Sequence, residues 1–115
     1  MRLLRSGARR WTEGRGYRKR PLVTLEELGI PGSFVQEVQF HPGERVPLHY
    51  HRRTKEVFIA LDRAPFVING EEVVMEPLDV VICEPGDVHG NPVIDDAFRI
   101  LVVKVGFDPD DTIWL

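Results

Sequence analysis

From Ser33 onward, apolar and polar side chains alternate with a period of two, the spacing at which successive residues of an extended chain point to opposite faces. The alternation predicts strands over Phe34 to Phe40, Val46 to His51, Glu56 to Leu61, Pro65 to Asn69, Glu71 to Glu76, Asp79 to Cys83 and Ala97 to Phe107. Turn dipeptides separate them: Pro42-Gly43, Asn69-Gly70 and Pro85-Gly86. Asn-Gly between two apolar runs is the strongest short hairpin signal, because both residues tolerate the positive φ of a tight turn. Ahead of this region, Thr24 with Glu27 three residues on forms a capping box, and Gly29-Ile30-Pro31 stops the helix after a single turn. Many short strands with regularly spaced turns predict an all-β fold, a double-sheet sandwich or small barrel.

Val57-Phe58-Ile59-Ala60-Leu61, Val80-Val81-Ile82-Cys83 and Ile100-Leu101-Val102-Val103 are apolar on both faces, as expected when the second face is covered too. A lone barrel of 115 residues cannot cover its own outside, so a homodimer is expected, with the N-terminal strand a candidate for exchange. The alternative is that short sandwich strands carry single outward Val and Ile residues. At this length and 43% hydrophobic content the chain makes one core, divided here into a basic N-terminal arm with edge strand and helical turn (1–31) and a barrel domain (32–115).

Charge refines the picture. The net charge is -3, yet residues 1–20 hold eight basic side chains against the single acid Glu13. Such an arm either binds nucleic acid or phosphate, or is a solvated edge strand whose arginines prevent aggregation or pair with the acidic body of a partner subunit; with only Trp11 and Tyr17 as aromatics, the edge reading is preferred and nucleic acid is not expected as a partner. No apolar run is long enough for a membrane span and no signal-peptide pattern opens the chain, so a cytoplasmic protein is expected. The single cysteine, Cys83, excludes an internal disulfide and reads as a small buried hydrophobe.

The candidate chemistry lies in Gly43 to Glu56. His49 and His51 are two apart, so a strand sets both imidazoles on one face; Glu56 follows after an exposed basic turn, and His89 sits in a second motif, Glu84-Pro85-Gly86-Asp87-Val88-His89. Three imidazoles and a carboxylate suit a divalent first-row transition metal, with positions left for water or substrate. Glu56 either ligates or orients a ligand, and it is the candidate catalytic carboxylate. His41 is read as a satisfied polar group, Tyr50 as packing, and Trp114 with the tail from Asp110 as a plug at one barrel end or an interface rather than a ligand contact. No second general base is evident beside the histidines.

The pattern G-x5-H-x-H-x4-E followed by P-G-x-x-H resembles the two motifs of the cupin superfamily, with Gly43, His49, His51, Glu56, Gly86 and His89 in register. The resemblance, over roughly residues 32–106, is to small single-domain microbial cupins. Arg63 and Leu78 stand where the family usually carries glycine, and Glu84 where it carries proline. The resemblance implies a double-stranded β-helix, or jelly-roll barrel, holding Fe, Mn, Ni or Zn through His49, His51, Glu56 and His89. It also implies a small-molecule ligand in the barrel: either a metal-dependent oxygenase or isomerase acting on a small oxygenated compound, or a non-catalytic sugar or small-acid sensor.

Overall fold

The computed structural model describes residues 1–115 as two antiparallel sheets face to face. The larger sheet has the order β1 (Thr12–Glu13), β2 (Tyr17–Val23), β3 (Phe34–Phe40), β10 (Phe98–Val105), β5 (Lys55–Ala60), β8 (Val80–Cys83). The smaller runs β11 (Thr112–Trp114), β4 (His49–His51), β9 (His89–Gly90), β6 (Ala64–Ile68), β7 (Glu71–Met75). Neighbours that are distant in sequence, such as β3 with β10 and β4 with β11, make this the jelly-roll barrel that the resemblance implies, within the sandwich or barrel class that the periodicity predicts.

Local chemistry explains the elements. The helical turn α1 (Leu25–Leu28) has its full capping box: the Thr24 side chain accepts from Glu27 N, the Glu27 carboxylate accepts from Thr24 N, and Gly29 closes the turn at φ 72°. Asn69 and Gly70, at φ 50° and 80°, join β6 to β7 as a tight hairpin. The predicted strand from Val46 shrinks to His49–His51. Pro47 has no N–H for a ladder, and the Val46 carbonyl is taken by Asn91 N at 3.1 Å.

Inward residues of both sheets fill one end of the barrel. Phe40 and Phe98 stack at 4.5 Å between centroids, Phe58 and Phe66 at 5.3 Å, and Phe40 meets Phe66 edge-on at 5.9 Å. Cys83 belongs to this core, and burial pushes its thiol up to about 12, with Glu56 and Asp87 adding to the effect. The aromatic plug leaves the opposite end open as a cavity.

The basic N-terminal strand β2 pairs along β3 within its own chain. Its arginines are occupied there: Arg20 lies 2.6 Å from Glu37, Arg18 donates to Gln39 at 2.7 Å, and both guanidinium groups lie over the Trp11 ring. Arg9 pairs with Glu27 at 2.6 Å, tying the preceding segment to α1. No helix is long and apolar enough to cross a membrane.

Candidate metal centre

Strand pairing brings the sequence-distant histidines together. His49 on β4 is directly opposite His89 on β9, and His51 lies two residues along β4 on the same face. Gly90 permits the approach: a Cβ there would lie 2.7 Å from the Val46 carbonyl oxygen and 3.0 Å from that of Pro47. One ring nitrogen from each histidine lies within 4.8 Å of the others, so the three could hold a metal ion. Glu56 reaches the same point from the larger sheet, its Oε1 2.7 Å from His51 Nε2 and 3.2 Å from His89 Nε2.

Hydrogen bonds behind the rings decide which nitrogens face the centre. His49 Nδ1 lies 2.9 Å from the Pro47 carbonyl and His89 Nδ1 2.9 Å from the Asp87 carbonyl. His51 Nδ1 lies 3.3 Å from Asp111 Oδ1, with Thr112 Oγ1 at 3.1 Å. Carbonyl and carboxylate oxygens only accept, so each Nδ1 carries the proton and donates, leaving Nε2 with a lone pair. The lone pairs of His51 and His89 therefore face Glu56 Oε1, a buried oxygen without a hydrogen-bond partner. Such a concentration of acceptors is favourable only around a cation, and the donor set fits a divalent transition metal.

Electrostatics agree. Burial lowers His49 to about 4, helped by His89, so the imidazole is neutral near pH 7 as a ligand must be. Burial would raise Glu56, and its carboxyl lies well below the usual range only where His51 and His89 donate to it beside the Lys104 ammonium; with both Nε2 lone pairs free, a bound cation would take the place of those donors.

Asp111 is the residue that sequence reading missed. Its carboxylate is buried, and burial alone would raise its pKa, but Oδ2 accepts from Arg53 N at 2.9 Å, Thr54 N at 2.8 Å and Thr54 Oγ1 at 2.9 Å, and the pKa is lowered. Oδ1 is left to orient His51, an arrangement that fixes a ligand's tautomer and angle. The tail is thus more than an end plug. β11 pairs with β4 in register, and Trp114 lines the cavity with its ring 4.5 Å from that of His49. The three residues of β11, Thr112–Trp114, are too short a run to show a strand period in the sequence.

The cavity above the centre measures about 260 Å³. Apolar walls come from Val38, Phe58, Phe66, Ile100 and Val102, and polar groups from Tyr17, Lys19, Gln36, Asn91 and Lys104. Of these, Tyr17, Lys19 and Lys104 are titratable groups in the cavity that holds the histidines, where the sequence showed no evident second base. Tyr50 does not line the cavity, and His41 pairs with Glu13 at 3.0 Å, both as read from sequence.

A search of curated proteins returns no match. Among solved structures, the chain is similar to the polyketide cyclase RemF from Streptomyces resistomycificus, with TM-score 0.81 and 20% identity over 100% of this chain and 87% of that one. Streptomyces PAC13, solved with uridine, gives TM-score 0.77 and 13% identity, covering 100% and 90%. A predicted oxalate decarboxylase from Thermotoga maritima gives 0.76 and 21%, covering 92% and 100%. In sequence, the family described as Cupin domain matches residues 36–104, more than half of the chain and the whole of the segment that carries the three histidines and Glu56. The chain therefore belongs to the cupin family.

Proposed function

We propose that this protein is a metal-dependent enzyme that acts on a small oxygenated organic molecule, with His49, His51, His89 and Glu56 as ligands. The observation that carries this reading is the set of three Nε2 lone pairs and one unpartnered carboxylate oxygen at the inner end of an apolar cavity. A divalent ion bound there supplies Lewis acidity toward a carbonyl or hydroxyl oxygen. The protein holds that oxygen near the histidines, excludes bulk water with the Phe58, Phe66 and Val102 walls, and presents the Tyr17 hydroxyl as a group able to exchange a proton with the substrate. Glu56, with its carboxyl kept ionised, is the candidate to shift between ligation and proton transfer.

Of the oxygenase and isomerase chemistries that a cupin site allows, the structure favours the non-oxidative one, because the cavity offers proton-transfer groups around the centre. The named reactions of similar structures, a cyclase, a nucleoside dehydratase and a predicted decarboxylase, support that choice.

The test is elemental analysis of purified protein followed by turnover assays of Fe, Mn, Ni and Zn forms. One metal per chain is expected in the wild type and little in His51→Ala or His89→Ala. Glu56→Gln should keep the fold and lose turnover of hydroxy or keto compounds without oxygen. Saturable binding with no conversion by any form would overturn the enzyme reading in favour of a sensor. We further propose that a second copy covers the exposed apolar side chains Val80 and Ile82 of the edge strand β8, and that the protein works in the cytoplasm.

A further inference from the structure

The cavity wall opposite the histidines belongs to the larger sheet. Four neighbouring strands place polar side chains in it: Tyr17 and Lys19 on β2, Gln36 on β3, Lys104 on β10 and Glu56 on β5. The charge count is unbalanced. Glu56 is the only acidic residue lining the cavity, and two lysines face it. The chain as a whole is net negative, so this local excess of positive charge does not follow from composition.

The lysines are unlike the arginines of the same region, which are paired on the outer face. Lys104 is held in place, with Nζ 3.9 Å from Glu56 Oε2 and 5.8 Å and 5.4 Å from the Phe34 and Phe107 ring centroids. Lys19 takes part in none of the ion pairs of the chain. Burial lowers its pKa, and the Lys104 ammonium lowers it further. Two ammonium groups that desolvate and repel each other in a cavity are costly unless an anion joins them. Glu56 cannot serve both, since its Oε1 already points at the histidines.

We infer that Lys19 and Lys104, with the Gln36 amide on the strand between them, form a carboxylate subsite, and that the ligand is a small organic acid spanning from this subsite to the histidine end. The apolar walls between the two ends suit a short hydrocarbon body. A cavity of about 260 Å³ lies below the range for drug-sized ligands and admits only a small acid. Carboxylate is favoured over phosphate because the lining offers two point charges and an amide, with no helix N-terminus or glycine-rich nest to cradle a dianion. The assignment rests on the metal-site reading for the far end of the ligand and on the lysines alone for the near end.

The probe is succinate, with a carboxylate for each end, titrated calorimetrically into zinc-supplemented protein alongside succinamide and inorganic phosphate, with metal content measured on the same samples. Succinate should bind the wild type, and Lys19→Met and Lys104→Met should each weaken it tenfold or more, Lys19→Met without reducing bound zinc. Lys104→Arg should restore most of the affinity, and succinamide should bind weakly to every form. Absence of succinate binding to wild type at millimolar concentration overturns the subsite. So does equal affinity in the folded methionine variants, tight succinamide binding, or phosphate binding more tightly than succinate with the same lysine dependence. If the wild type holds no zinc, the metal reading fails while the lysine dependence of succinate binding still decides the subsite.

Discussion

Two residues show how single side chains act through backbone geometry and orientation. Asp111 does not itself line the cavity, yet it holds His51 by Nδ1 while its other oxygen is anchored by two backbone N–H groups and the Thr54 hydroxyl. Asp111→Asn keeps the shape but can present an amide N–H to the His51 ring and favours the wrong tautomer. Metal affinity should fall by about 10- to 100-fold, as for other groups that orient a ligand, measured by competition with a chelator. Leu78 carries strain of a different kind. It sits at φ 70°, a left-handed conformation that crowds a Cβ, with its side chain 74% exposed. The cupin pattern has glycine here, and the backbone shows why. Leu78→Gly should raise stability by about 0.5–1 kcal/mol in urea unfolding, the relief of strain outweighing the added freedom of the unfolded chain.

At the scale of elements, α1 is too short to stand by its own hydrogen bonds and depends on its cap. Glu27 closes the capping box and also meets Arg9, and the Arg9 hydrogen bond, ahead of those from Thr24, lowers its pKa from 4.5 to about 2. A carboxyl with a depressed folded pKa contributes stability above the unfolded value and loses it as pH falls through the folded one. The difference in urea midpoint between wild type and Glu27→Gln should be constant above about pH 5, shrink from pH 4.5 toward 2 and vanish below. High salt should reduce it at neutral pH because the pair is solvent-screened. β4 and β11 illustrate a dependence of another sort: three residues each, they persist because they pair with one another, and β11 was not legible in the sequence since three residues carry too little periodicity.

For the whole molecule, association turns on the edge of the larger sheet. Its edge strand β8 presents Val80 and Ile82 at 54% and 57% exposure beside an unpaired row of backbone groups. An apolar edge of this kind invites association. Sedimentation at micromolar concentration should give a dimer, and Val80→Lys with Ile82→Lys should return a folded monomer of 13.2 kDa. A wild type that stays monomeric would refute the paired arrangement.

Much of this architecture was readable residue by residue because its causes are local. Period two marks strands, Asn69-Gly70 a hairpin, Thr24 and Glu27 a cap, and His49 with His51 a shared face, each within a span of a few residues. The three histidines and Glu56 could be named from the i, i+2 pair and the resemblance to the two cupin motifs, and the structure brings them to one point. What tertiary structure decided was every relation across a long separation in sequence. Asp111 meets His51 across sixty residues, Trp114 lines the cavity, and Lys19 and Lys104 share a wall because β2, β3 and β10 are neighbours in one sheet. Periodicity sets which face a side chain takes, but it carries no information on which strands lie side by side. That choice is made when the two apolar faces close on one core, and it is there that the cavity acquires its charge.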